Sequence, residues 1–181
     1  WKWQESAVYE TFSTPYMPYK DINFLKDIER LTDAYWNKGS FSFTMNYVFR
    51  KVSPWAFLSK LAEYGRQNNT FDQARRETYW FELVFTFFES ACQTWTDLDY
   101  NLCIDLLRYD FVRSGKKGNF PTWYKHRYQK EKHQSALEKE GLLHNCRVAF
   151  SYTEYEEFDY DVRSDFPENY KTHTEILIKY K

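Results

Sequence analysis

The residues whose type and spacing could do chemistry lie in the acidic stretch YTEYEEFDYDV, residues 152–162. Glu154, Glu156 and Tyr160 recur at even positions, in phase with the aromatic residues around them. Because side chains alternate between the two faces of a strand, both carboxylates would point where apolar side chains point. A buried carboxylate is costly unless it meets a cation or lines a cavity. The alternative, which we favour at this stage, is a turn near Tyr155 that changes the phase and leaves both carboxylates in water.

The other reactive residue types lack the spacing that their chemistry needs. The four histidines show neither HExxH nor zinc-finger spacing, and no nucleophile elbow accompanies a serine or cysteine. Three scattered cysteines fit a reducing compartment better than a disulfide framework. The loop at 114–119, SGKKGN, lacks P-loop spacing. We therefore predict no catalytic residue, no bound cofactor and no metal in this chain itself.

A basic run at residues 125–133 carries four cationic side chains and two histidines. Its default interpretation is a solvated helix face. The alternative is a docking surface for a partner, such as the acidic residues 154–165 of the same chain.

The chain is organised around one helix, residues 78–92, which reads TYWFELVFTFFESAC. Its only polar break is a narrow stripe of Glu82, Thr86 and Glu89 at helical spacing, so apolar side chains surround most of it. Such a helix has to be wrapped by others. It is too short for a membrane span, and Glu82 interrupts it.

The remaining helices follow from periodicity and capping residues. Gly39 and Gly141 stand where helices should stop, and Asp72 is the expected cap of the central helix. Trp55 is expected on the buried face of the third helix. The flanking helices are predicted at about residues 21–38, 40 or 42 to 52, 54–64, 96–109 and 123–140, the last of them solvated.

Beyond these helices the period of the sequence changes to that of strands. Residues 147–163 alternate, in one phase or broken by a turn, and residues 174–180 alternate again. Two strands alone are marginal in water, so the helical layer, the N-terminal arm or a neighbouring domain must cover one face. We therefore predict a mainly α fold (α+β): a multi-helix bundle around the central aromatic helix, with a small C-terminal antiparallel β element.

Length and composition agree with one domain built on aromatic rings. The chain has 181 residues, with 16 Tyr, 16 Phe and 7 Trp. We expect an extended arm at about 1–19, a helical part at about 20–141 and a β part at about 146–181. The net charge of −1 argues against nucleic acid or an anionic membrane as partner. With no signal peptide and an opening, WKWQ, typical of mid-polypeptide, we expect a cytoplasmic fragment of a longer enzyme.

Several stretches, taken in order, carry a family resemblance. They are YETFSTPYMPYKDINFLKDIERLTDAYWNKGSF near the start, LLRYDF at 106–111, PTW at 121–123 and YTEYEEFDYDV at 152–162. The ordered set resembles the C-terminal domain of unknown function that follows the barrel in cobalamin-binding radical S-adenosylmethionine proteins. The resemblance covers nearly the whole chain.

The resemblance implies an accessory domain of an iron–sulfur oxidoreductase-like enzyme. In such parents a cobalamin-binding domain and a radical barrel come first, and a CxxxCxxC run in the barrel holds a 4Fe-4S cluster. That run is missing here. The cluster, S-adenosylmethionine and cobalamin are therefore expected in the parent and not in this chain.

On this hypothesis the domain packs beside the open end of the barrel and helps to shape the substrate side. The candidate substrate-side residues are Glu154, Glu156 and Tyr160, with Arg108 and Asp110 of LLRYDF as second choices. The partners are the barrel and the cobalamin-binding domain of the same polypeptide. The alternative is a stand-alone helical protein-interaction module, and in either case the isolated chain should show no turnover.

Overall fold

The computed structural model describes residues 2–3, 11–115, 120–127, 129–142 and 146–180. Helices dominate this part of the chain, and a small antiparallel strand pair lies at its C-terminal end, so the predicted α+β class is confirmed. The helices are α1 (Tyr19–Thr32), α2 (Ser42–Lys51), α3 (Pro54–Gln67), α4 (Glu77–Thr94), α5 (Tyr100–Arg113), α6 (Lys130–Lys139) and α7 (Cys146–Tyr152). The strands are β1 (Lys2–Trp3), β2 (Thr11–Ser13), β3 (Thr153–Phe158) and β4 (Thr174–Lys179).

Helix α4 is the central aromatic helix that the sequence predicts. Its rings pack against neighbours on several sides: Phe81 lies 4.1 Å from Phe41 and 5.1 Å from Phe111, measured between ring centroids. On another face Phe87 lies 5.4 Å from Phe57 of α3. Edge-to-face and tilted ring pairs of this kind stabilise a core beyond the area they bury. No helix among the described residues is long and apolar enough to cross a membrane.

Helix α5 begins at Tyr100, four residues after the predicted start near residue 96, and carries charges into the core. The carboxylate of Asp99 accepts hydrogen bonds from the backbone N–H groups of Asn101 (2.9 Å) and Leu102 (3.2 Å), which caps the helix. Leu98, Leu102, Leu106 and Tyr109, which recur at helical spacing, are buried. Three charged residues of α5 are buried as well, namely Asp105, Arg108 and Asp110.

Two local predictions near α3 and α4 are wrong. Trp55 lies in the first turn of α3 and is 58% exposed, since the buried face of that helix begins only at Phe57. Asp72 does not cap α4, which begins at Glu77. Instead Asp72 ends a short 3-10 turn, where Arg75 Nε donates to the carbonyl of Thr70 (3.0 Å) and holds the chain out of helical geometry.

The predicted helix over 123–140 begins only at Lys130. Residues 121–127 are irregular, and the adjacent rings of Trp123 and Tyr124 are both buried there. Adjacent helical side chains point about 100° apart, whereas this irregular segment lets one ring stack on Phe85 (5.1 Å) and the other on Phe120 (4.8 Å). The end of α6 agrees with the prediction.

The strand predicted from residue 147 begins at Thr153, because residues 147–152 belong to α7. A strand needs a partner, and β4 ends at Lys179, which pairs with Thr153. The β3–β4 ribbon is antiparallel, with Glu154 opposite Ile178 and Glu156 opposite Ile176. All six residues of β3 are buried, whereas Glu175 and Lys179 of β4 are exposed, so the rest of the domain covers β3 and leaves part of β4 in water.

Candidate functional site

A buried cluster of opposite charges joins α5 to the ribbon. Arg108 Nη1 donates to Asp105 Oδ1 (2.9 Å), and its Nη2 donates to Glu156 Oε1 (2.6 Å) and to the carbonyl of Glu157 (3.2 Å). Arg108 is 3% exposed and Glu156 is fully buried. Burial raises the pKa of Asp105, and the Arg108 guanidinium counteracts that shift. The planar guanidinium therefore holds two carboxylates from separate elements in one geometry.

The expectation that a turn near Tyr155 places Glu154 and Glu156 in water is wrong. Strand β3 runs unbroken from Thr153 to Phe158, and both carboxylates are buried. Their charges are matched by cationic and hydrogen-bonding groups from other elements, which is the condition for burying them.

Segment 120–127 supplies the partners of these two carboxylates. Tyr124 Oη donates to Glu156 Oε2 (2.6 Å), and the backbone N–H of Arg127 donates to Glu156 Oε1 (3.0 Å). His126 Nε2 lies 3.0 Å from Glu154 Oε1 and 3.7 Å from Glu156 Oε2. Burial and the adjacent charge of Glu156 raise the pKa of Tyr124, so its hydroxyl stays protonated and continues to donate.

The basic run docks on the acidic stretch of its own chain. Arg127 forms two parallel hydrogen bonds to Asp159 (2.8 and 2.9 Å), and Lys132 Nζ donates to Glu157 (2.7 Å). These hydrogen bonds lower the pKa of Asp159, and Lys132 contributes to the lowering at Glu157. The docking alternative is confirmed for these residues. Solvent screens pairs this exposed, so they orient the ribbon more than they stabilise it.

The other two candidates, Tyr160 and Asp110, lie away from this cluster and have structural partners. Tyr160 Oη donates to Asp99 Oδ2 (2.7 Å) and so connects the ribbon to the cap of α5. Asp110 accepts hydrogen bonds from the backbone N–H (2.8 Å) and hydroxyl (2.8 Å) of Thr44 and from the N–H of Phe43 (3.3 Å) at the start of α2. Burial raises the pKa of Asp110 to about 6, although these hydrogen bonds favour its charged form.

A cavity of about 240 Å³ lies beside the cluster, between α4, α5 and residues 123–127. Sequence reasoning missed it, because its wall combines residues from four separate stretches. Its wall includes Phe85, Ile104, Asp105, Arg108, Trp123 and Lys125.

Two further groupings do not make a site. Cys92 and Cys103 are free thiols that hydrogen bond to each other between α4 and α5; burial raises the pKa of Cys103, whereas this hydrogen bond lowers that of Cys92. Ligand atoms of Glu157, His173 and Glu175 lie within 4.8 Å of one another. Lys132 Nζ already lies 2.7 Å from Glu157 and 3.4 Å from Glu175, so an ammonium group occupies the place of a metal ion.

Comparison with known proteins gives one match. A family model described as "Protein of unknown function (DUF4080)" matches residues 1–178. The chain belongs to the DUF4080 family. No curated protein and no solved structure matches it. The resemblance to a domain of unknown function is confirmed, whereas the link of the DUF4080 domain to cobalamin radical enzymes stays a prediction.

Within the DUF4080 domain the charged side chains of this cluster are bound to one another. Arg108, Tyr124 and His126 all contact Glu154 or Glu156, so both carboxylates already have partners. The arrangement is suited to holding a surface in a fixed shape and to placing cationic groups at the edge of the cavity.

Replacing Tyr124 by phenylalanine should lower the free energy of unfolding by about 1–3 kcal/mol, because Glu156 Oε2 loses a buried donor. Urea unfolding measures the change. Tyr16→Phe is the matched control: this side chain is 95% exposed, and its loss of a hydroxyl should change stability by less than about 0.5 kcal/mol. Equal effects of the two substitutions would show that the Tyr124 hydroxyl does not support the buried carboxylate.

Proposed function

We propose that this DUF4080 domain is a non-catalytic accessory domain of a larger cobalamin-dependent radical S-adenosylmethionine enzyme of the Fe-S oxidoreductase type. It packs on the radical barrel of the same polypeptide and shapes the substrate side. The 4Fe-4S cluster, S-adenosylmethionine and cobalamin belong to the parent, and the whole works in the cytoplasm. The observation that carries the proposal is an exposed apolar segment that leads into α1.

This segment exposes four large side chains within ten residues. Tyr16 is 95% exposed, Tyr19 54%, Leu25 41% and Met17 36%. The turn that presents the first of them is ordered by Thr14, whose hydroxyl accepts hydrogen bonds from the backbone N–H groups of Tyr16 (3.2 Å) and Met17 (2.9 Å). Exposed tyrosine and methionine side chains are enriched at protein interfaces.

The charged candidates support a shaping role over a catalytic one. A general base or nucleophile needs an unengaged reactive group near a reacting atom. Glu154, Glu156 and Arg108 instead already have partners within the domain: Arg108 binds Glu156, and His126 contacts Glu154. Their contribution is to fix the ribbon and segment 120–127 on the helical layer.

The coding sequence upstream of Trp1 is the first test. An encoded barrel with a CxxxCxxC run supports the proposal. A start codon immediately before Trp1 contradicts it and leaves the alternative, a stand-alone helical protein-interaction module.

Docking through residues 16–25 can be tested by comparing hydrogen exchange in the full-length protein with that in the isolated 181-residue chain. We expect the backbone amides of residues 16–25 to exchange at least about tenfold more slowly in the full-length protein, because the barrel covers them. The exposed turn of α3 around Lys60 and Glu63 is the internal control and should exchange alike in both. Equal exchange at residues 16–25 contradicts docking through this segment. Turnover by the isolated chain contradicts the non-catalytic role.

A further inference from the structure

We propose that the outer edge of β4 is a homodimer interface, at which the β4 strands of two copies of this chain pair antiparallel about Leu177. The pairing joins the two β3–β4 ribbons into one continuous sheet. It involves residues of this chain alone, so the inference goes beyond the accessory role and does not depend on it. Three features support it: unpaired backbone groups on β4, a closed edge on β3 and a self-complementary pattern of charge.

The register of the ribbon decides which backbone groups of β4 face outward. The N–H of Tyr180 donates to the carbonyl of Tyr152 (2.7 Å), and these two residues continue the register of β3 with β4. Directly hydrogen-bonded pairs alternate with non-bonded pairs in an antiparallel ladder, so the even-numbered residues of β4 bond to β3. The backbone groups of Glu175, Leu177 and Lys179 therefore point away from β3.

These outward N–H and carbonyl groups have no hydrogen-bond partner among the described residues. The sheet that contains β4 has only β3 as its second strand, and no group in the described part of the chain bonds to the main chain of Glu175, Leu177 or Lys179. Glu175 and Lys179 are exposed and Leu177 is half-buried, so a second strand can reach them. A row of unpaired backbone groups on an edge strand is a template for strand addition.

The outer edge of β3, in contrast, is closed by side chains of α5. Arg108 Nη2 donates to the carbonyl of Glu157 (3.2 Å), and the N–H of Asp159, just beyond the strand, donates to Asp105 Oδ2 (2.6 Å). Glu157 and Asp159 are odd-numbered, so by the same register their backbone groups face outward. The fold therefore closes one edge of the ribbon and leaves the other for a strand.

The side chains along β4 are complementary to those of a second copy. In an antiparallel pair centred on Leu177, Glu175 of each copy lies opposite Lys179 of the other. Opposite charges on directly opposed residues stabilise a strand pair, and two-fold symmetry makes this contact twice. Moving the register by two residues in either direction loses both contacts, so the charges select the pairing about Leu177.

Both charged side chains also have a partner within their own chain. Lys132 Nζ lies 3.4 Å from Glu175, whose side chain is 44% exposed. Lys179 Nζ lies 2.7 Å from Glu140, and the side chain of Lys179 is 49% exposed. Contacts this exposed are screened by water and leave both groups accessible to a second strand.

Sedimentation of the purified chain tests the self-association. We expect a dimer fraction that rises between about 1 µM and about 1 mM. Glu175→Lys should dimerise at least about tenfold more weakly, because it sets a like charge opposite Lys179 of the other copy. Glu63→Lys, in an exposed ion pair on α3, is the control and should dimerise like the wild type. A chain that stays monomeric up to about 1 mM, or equal effects of the two substitutions, overturns the proposal.

The double variant Glu175→Lys, Lys179→Glu separates pairing between copies from contacts within one copy. It restores opposite charges across the two-fold axis, so its dimerisation should return to within about threefold of the wild type. Within one chain it sets like charges beside Lys132 and Glu140, so a purely intrachain role makes the double variant worse than Glu175→Lys alone. That result contradicts the β4 interface.

Hydrogen exchange locates the interface on the strand. As the protein concentration rises through dimerisation, the outward amide of Leu177 should exchange at least about tenfold more slowly. The amides of Ile176 and Ile178 already bond to β3 and should change less. Dimerisation that leaves the exchange of the Leu177 amide unchanged contradicts this interface and assigns the contact to another surface.

Discussion

Replacing Arg108 by methionine should lower the free energy of unfolding by about 3–5 kcal/mol, the largest effect that we expect from a single substitution in this domain. The guanidinium is 3% exposed and is hydrogen bonded to Asp105 and Glu156. Its removal leaves two carboxylates in the core without their cation. Methionine fills a similar volume, so the loss measured by urea unfolding reports the charge and not a cavity.

The matched control is Arg127→Met, which removes the same chemical group from a surface pair. Arg127 is 40% exposed and Asp159 is 51% exposed, so this loss should stay below about 1 kcal/mol. Because a loss of about 5 kcal/mol can unfold a marginally stable domain, the triple variant Asp105→Asn, Arg108→Met, Glu156→Gln provides a second measurement. It should recover part of the stability, since no buried charge is left unpaired. The buried carboxylates do not need Arg108 if Arg108→Met loses little stability. The same follows if the triple variant is no more stable than Arg108→Met.

Replacing Asp110 by asparagine should remove a pH dependence of stability between about pH 4 and pH 6. The pKa of Asp110 is raised to about 6 in the folded protein by burial, against about 3.9 in an unfolded chain. Between these values the folded state binds more protons than the unfolded state. The free energy of unfolding of the wild type therefore falls as pH rises through this window, by about 2–3 kcal/mol from this group.

Urea unfolding at several pH values across this window, for wild type and Asp110→Asn together, isolates the effect. The difference between the two curves matters, because other carboxylates titrate in the same range and cancel in it. Asp72→Asn is the control, because Asp72 is exposed at the end of a 3-10 turn. Its curve of unfolding free energy against pH should run parallel to that of the wild type. Parallel curves for wild type and Asp110→Asn would mean that the hydrogen bonds from Thr44 and Phe43 outweigh burial.

The charged network explains why the sequence-based view of Glu154 and Glu156 was only half correct. Their even spacing correctly indicated that they share a face with aromatic residues. The turn that would have returned them to water is absent from β3, and the reason lies 48 positions away at Arg108. A pattern within eleven residues carries no information about a cation on another element.

The same limit applies to the secondary structure. The 123–140 helix prediction extended too far because helix propensity is high there, whereas residues 121–127 are irregular and bury the rings of Trp123 and Tyr124 on Phe85 and Phe120. Alternation at residues 147–152 predicted a strand, but these residues belong to α7, and the register of β3 with β4 begins at the pair Thr153 and Lys179. In both places tertiary contacts outweighed a correct reading of local preference.

The sequence alone determined the apolar circumference of α4 and the pairing of two C-terminal strands. These are properties of neighbouring residues and of period, which a linear chain displays directly. Only the tertiary structure decided that Arg108 meets Glu156, that the basic run docks on the acidic ribbon and that Trp123 walls a cavity. Such contacts depend on which elements pack together, because an ion pair or a cavity is formed by distance in space and not by distance along the chain.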